Sequence, residues 1–118
     1  MIDDKYIIRI FDEINGDSAI SVEDGDNVYK KIDNALSKNL IVEIDFQNIK
    51  LIITAFLNAA IGQLYSKYKS EQLNEKIHLK NISPEDVYLF KKVIERAKDY
   101  FADKKGFEDS ANTAIYGS

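Results

Sequence analysis

The chain has 118 residues, 45% of them hydrophobic and 31% charged, with one Pro and five Gly, which is the composition of one ordinary folded domain. It has no Cys and a single His, which excludes a disulfide framework, a thiolate nucleophile, cysteine-ligated zinc or iron–sulfur centres and multi-histidine metal sites. Sixteen Lys and Arg against twenty Asp and Glu leave a net charge of −4, which argues against sequence-independent binding to nucleic acid or to an anionic membrane.

Residues 5–11, Lys-Tyr-Ile-Ile-Arg-Ile-Phe, are β-branched and aromatic and predict a first strand. Asn15-Gly16 is the strongest turn dipeptide in the chain, so Ala19-Ile20-Ser21-Val22 is expected to return as a short antiparallel strand. Val28, Ile32, Ala35 and Leu36 recur at helical spacing and predict a first helix over 26–38, capped by Asp26. Leu40 to Phe46 is nearly continuous apolar with one Glu inside it, as a central strand requires. Beyond the loop 47–51, the residues Leu57, Ile61, Leu64 and Tyr68 form one stripe of a second helix over 54–68. Ala55, Ala59, Ala60 and Gly62 let that helix lie close to a sheet. Lys76-Ile77-His78-Leu79-Lys80 alternates as a half-buried strand does. Ser83-Pro84-Glu85-Asp86 supplies a cap, a first-position Pro and acids, and predicts a third helix from Pro84 to Lys104. Its expected buried face is Val87, Phe90, Val93 or Ile94, Ala97 and Phe101.

These elements predict a single α/β domain over 1–105, a small mixed sheet of about four strands with three main helices packed on it. Strand 40–46, helix 54–68 and strand 76–81 form a β-α-β unit with parallel strands and a right-handed crossover. The tail 106–118 has weak periodicity, which leaves two readings: partial disorder, or Phe107 and Ile115 laid against the body. Met1 to Lys5 carries two acids and no signal-peptide core follows. The apolar stretch Leu51–Leu64 is too short, and too interrupted by Thr54, Asn58 and Gln63, to span a bilayer, so the expected location is the cytoplasm.

In a β-α-β unit the loop after the strand and the first turn of the helix form the usual ligand site. Here that stretch runs from Asp45 to Asn58 and contains no Gly, so it is not a loop that wraps a polyphosphate. A single hydroxyl at a helix mouth, Thr54, suits one phosphoryl group instead. These residues resemble the STAS superfamily of bacterial anti-sigma-factor antagonists, and more closely its divergent STAS-like branch. The resemblance spans Tyr6 to Phe101 in element order and residues 40–64 as a motif. An antagonist shows a hydrophobic strand ending in Asp-Leu-Ser, then Asp-Ser-Ser-Gly-Leu opening a helix. This chain has Leu40-Ile41-Val42-Glu43-Ile44-Asp45-Phe46-Gln47 and Ile53-Thr54-Ala55-Phe56-Leu57. Asp45 falls on the family's strand-end aspartate and Thr54 on its phosphoacceptor serine, whereas Ile53, Ala55 and Phe56 replace the acid, the second serine and the glycine. A bulky aromatic in place of that glycine is a feature of the STAS-like branch.

The resemblance implies a non-enzymatic regulatory or protein-interaction module, with no cofactor. Its partner would be a protein such as a serine kinase of the histidine-kinase-like ATPase fold. The implied surface holds Asp45, Lys50, Thr54, Ala55, Asn58 and Ile61, and Thr54 is the candidate phosphoacceptor. Phosphorylation there would add nearly two negative charges and repel an acidic partner surface. Each residue also has a plainer role: Thr54 as a helix N-cap contributing about 1 kcal/mol, Asp45 bonding its own turn, and Lys50 as a solvated loop lysine. His78 should face away from Ile77 and Leu79, and with no second His, no Cys and no Ser–His–Asp spacing a hydrolase has no catalytic set. The run Tyr65, Lys67, Tyr68, Lys69 mixes bases with aromatics, yet on an acidic chain it reads as a solvated helix end. Two other functions stay open on the sequence. One is a small-ligand or nucleotide sensor. The other is a small acidic inhibitor that sets the six acids between Asp12 and Asp26, a stretch with no Lys or Arg, against a basic surface.

Overall fold

The computed structural model describes residues 4–112, with side chains described as far as Ala102. Strand β1 (Lys5–Arg9) is followed by α1 (Ile10–Ile14), β2 (Ser18–Ala19), α2 (Val22–Ser37), β3 (Ile41–Asp45) and β4 (Leu51–Ile52). Then come α3 (Thr54–Ala60), a 3-10 turn (Gly62–Ser66), α4 (Ser70–Lys76), β5 (Ile77–Lys80), a second 3-10 turn (Pro84–Asp86) and α5 (Val87–Asn112). No described helix is long and apolar enough to cross a membrane.

The main sheet has the order β1-β3-β5 and is parallel throughout, because a helical crossover returns the chain to the same end of the sheet before each new strand. Register puts Tyr6 beside Val42 and Ile77, and Ile8 beside Ile44 and Leu79. That face meets the helices: Ile8, Val42 and Ile44 are buried with Val28, Ile32, Phe56, Leu57 and Leu64 in one core. The opposite face carries Ile7, Glu43 and His78 in one row and Arg9, Asp45 and Lys80 in the next. It is open to solvent, and Lys5 reaches Glu43 across it at 3.3 Å. Phe46, just past β3, packs edge-on against Phe90 of α5 with ring centroids 4.9 Å apart, fixing the last helix to the central strand.

Several expectations are corrected. The sheet is not mixed and the hairpin does not form. Asn15 adopts φ 57 and ends α1, with the Gly16 amide donating to the Phe11 carbonyl at 3.1 Å. A left-handed residue followed by Gly suits a helix C-terminus as well as a hairpin turn, and here it serves the former. Strand β2 pairs with β4 instead, in parallel, with Ser18 opposite Leu51 and Ala19 opposite Ile52. Helix α2 begins at Val22, where the Ser21 hydroxyl accepts from the Asp24 amide at 3.0 Å, so the cap is Ser21 and not Asp26. The expected second helix is α3 plus a 3-10 turn, and α4 was not predicted because Leu73 is its one buried anchor. Val87 is exposed, not buried, since Pro84–Asp86 form a separate turn before α5. The backbone of 106–112 continues α5. The packing expected of Phe107 and Ile115 lies outside the described residues.

The tightest approach in the domain is between α2 and α3. A Cβ on Gly25 would lie 2.6 Å from the Phe56 carbonyl oxygen and 2.7 Å from the Ala59 Cβ. Phe56 is fully buried, so its backbone has no free direction in which to withdraw. In an open helix, Gly25→Ala would gain up to about 1 kcal/mol from propensity. Here the clash outweighs that gain, and the substitution is expected to destabilise by about 1–2 kcal/mol net. Denaturant unfolding followed by circular dichroism measures it; a midpoint equal to or above that of the wild type contradicts the close approach.

Candidate functional site

Asp45 closes β3, and its Oδ1 accepts two hydrogen bonds, from the Gln47 amide at 2.9 Å and from the Asn81 Nδ2 at 2.8 Å. Asn48 and Asn81 both hold left-handed backbone, φ 67 and φ 60, in the turns after β3 and β5. The carboxylate thus ties two turns together at the C-terminal edge of the sheet, which is the turn role that an Asp at a strand end suits. A cleft of about 80 Å³ beside it is lined by Arg9, Phe11, Asp12, Asp45, Gln47 and Asn48. That is far below the roughly 300–1,000 Å³ of small-molecule sites.

The second stretch runs from Lys50 to Asn58. The Lys50 and Leu51 amides both donate to the Asp17 carbonyl, at 2.8 and 3.1 Å, and the Ile53 amide donates to that of Ala19 at 3.1 Å. Ile53, extended at φ −122 and ψ 162, is the N-cap of α3 and makes no side-chain cap bond. Thr54 is therefore the first helical residue and not the cap that its hydroxyl suggests. Around α3 the residues Phe56, Leu57, Ala59 and Ala60 are buried, Thr54 and Ala55 are half-buried, and Asn58 is exposed. Thr54 and Asn58, four apart, share one face. Ile61 is 3% exposed and belongs to the core, so the expectation that it lies on a contact surface is wrong. Its spacing from Leu57 and Leu64 had already placed it on the buried stripe.

Thr54 and Asn58 thus share one side of α3, Ala55 is half-buried next to Thr54, Lys50 is exposed in the segment leading into the helix, and Asp45 is engaged separately with the two turns. The pairing of β2 with β4 also sets the acid-rich segment alongside the Thr54 segment. Two-residue strands have no hydrophobic period, so nothing in the sequence marked that adjacency.

The basic and aromatic run after α3 is engaged with α2. Lys67 Nζ lies 2.9 Å from an oxygen of Asp33, and the Tyr68 hydroxyl donates to the same carboxylate at 2.5 Å. Two turns earlier on α2, Asp26 accepts from the Gln63 side chain at 2.7 Å. Tyr65, Lys69, Lys98 and Phe101 border an open groove of about 870 Å³ between this run and α5. His78 is exposed on the open face, its Nε2 3.2 Å from the Glu75 carbonyl oxygen, in the orientation that strand alternation predicts.

The hydrogen bond from Tyr68, and then that from Lys67, hold the Asp33 carboxyl below its ordinary range. The Tyr68 phenol is pushed up to about 12, first by burial and then by its bond to Asp33. Because Asp33 titrates lower folded than unfolded, its contribution to stability is present above the ordinary carboxylate range and is lost as pH falls through the folded value. The effect is small at so accessible a site. Tyr68→Phe removes the largest cause, so the Asp33 titration, followed by NMR of its carboxyl carbon, is expected to move up towards the ordinary value. An unmoved titration contradicts the assignment.

The family model described as a STAS-like domain of unknown function (DUF4325) matches residues 24–87, more than half of the chain. No curated protein and no solved structure matches. The matched segment runs from the first turn of α2 to the start of α5 and so contains β3, both site stretches and β5. With an α/β domain of the order that the resemblance implies, the chain belongs to the STAS-like family DUF4325.

Proposed function

We propose that this domain is a non-enzymatic regulatory module that binds a protein partner through the exposed side of α3 and the segment leading into it. The observation that carries this reading is the division of α3: four of its seven residues are buried in the core, and Thr54 and Asn58 share the side that is left. A short helix held this rigidly presents its polar side chains at low entropic cost to an incoming surface. Lys50 and Ala55 extend the contact area, and Asp45 maintains the turn from which the segment departs.

By the resemblance to anti-sigma-factor antagonists, the partner is a serine kinase of the histidine-kinase-like ATPase fold and Thr54 its phosphoacceptor. A phosphoryl group there adds nearly two charges and three strong acceptors between the apolar Ile53 and Ala55. Such a group is costly to desolvate in a contact, so phosphorylation acts as a release signal.

The test uses the partner recovered from the host with the full chain as bait, then purified and titrated calorimetrically. Thr54→Asp and Asn58→Arg each change an accessible side chain and should leave folding intact. Each is expected to weaken binding by about tenfold or more, the effect of a charge placed inside a contact. Wild-type affinity in both variants would remove α3 from the interface.

A further inference from the structure

A patch next to Thr54 says more about the partner, if the interaction reading above holds. Single exposed aliphatic residues are ordinary on any surface, whereas adjacent ones are not. Strands β2 and β4 bury Ala19 and Ile52, and strand alternation turns Ile20, Leu51 and Ile53 to the other side. Ile20 and Ile53 continue the β2–β4 register by one step beyond Ala19 and Ile52. Ser21 is extended, so Val22, the first residue of α2, follows Ile20 on the same side. These four side chains are 46%, 51%, 38% and 54% exposed, in the order Ile20, Leu51, Ile53, Val22. The parallel register places them on one side of two segments that are far apart in the chain.

The rim of this patch is acidic. Glu23 and Asp24 occupy the first turn of α2 beside Val22. Lys50 is the one base next to the patch in sequence, and no Lys or Arg occurs between Asp12 and Asn27. Two further acids of the stretch are engaged elsewhere: Glu13 is paired with Lys31, and Asp26 accepts from Gln63. An apolar centre with uncompensated carboxylates on one side fits an apolar partner segment flanked by Lys or Arg, and disfavours one flanked by acids.

We infer that Ile20, Val22, Leu51 and Ile53 form the apolar centre of the partner-docking surface. The occupant is a protein segment whose apolar side chains are flanked by basic ones, which meet Glu23 and Asp24. The surface is continuous with Thr54 through Ile53, so a phosphoryl group on Thr54 sits at its border.

The experiment selects twelve-residue random peptides displayed on phage against the immobilised full chain, then measures the selected peptides by fluorescence anisotropy. Expected are peptides with an apolar core and an excess of Lys or Arg. Their affinity should fall about tenfold for Val22→Ser combined with Leu51→Ser, a loss of the size that truncating contact anchors gives. It should also weaken severalfold between roughly 50 and 300 mM salt, as screening of the acidic rim requires. Glu23→Lys, which leaves the apolar centre and the fold untouched, should weaken the same peptides. Peptides without a basic excess, or with unchanged affinity for these variants, overturn the inference. If the selected peptides are lost only with Thr54→Asp and Asn58→Arg, the docking inference falls while the interaction reading stands. If no peptide is selected, both fall.

Discussion

The close contact of α2 with α3 at Gly25 is the constraint on which the remaining arrangement depends. Without a side chain at that position the Phe56 carbonyl and Ala59 approach to a distance that no other residue permits. The two helices then share the apolar stripe Val28, Ile32, Phe56, Leu57 and Ala60 as one layer over the sheet. The polar bonds of Asp26 to Gln63 and of Asp33 to Tyr68 and Lys67 continue the seam along both segments. Because α3 is held on its buried side, what it offers outward is fixed.

A fully parallel sheet is ordinarily covered on both faces. This one buries Ile8, Val42 and Ile44 and leaves Arg9, His78 and Lys80 in solvent. Polar residues on the open face make that stable for three short strands, and they also make it a poor apolar contact. Ile7 is the exposed aliphatic residue of that face, whereas Ile20, Val22, Leu51 and Ile53 lie on or beside the small β2–β4 pair from which α2 and α3 both depart. One-sided layering thus divides the molecule into a solvated face and an apolar, acid-rimmed corner next to Thr54.

The parts legible in the sequence were those with a long period or a continuous apolar run. Val28, Ile32, Ala35 and Leu36 are all buried on α2, and β3 and β5 lie where the run 40–46 and the alternation around His78 put them. The missed parts have physical reasons. Asn15-Gly16 supplies left-handed backbone that a helix end and a hairpin use equally. Strands β2 and β4 have two residues each, too few for any period, so the link between the acidic stretch and the Thr54 segment was invisible. Helix α4 has a single anchor. At the site, Thr54 and Asn58 were legible from the helix start, whereas the cap at Ile53 was not, since no side chain there marks it.

The proposed function rests on the same geometry: a rigid helix side, a hydroxyl at its first residue and an apolar corner beside it. Hydrogen–deuterium exchange of the full chain, alone and saturated with its purified partner, tests this most directly. The account predicts slowed exchange over 20–24 and 51–58, with the open face of β1 and β5 unchanged. Protection confined to β1 and β5, or to the groove between the Tyr65–Glu71 run and α5, would contradict it.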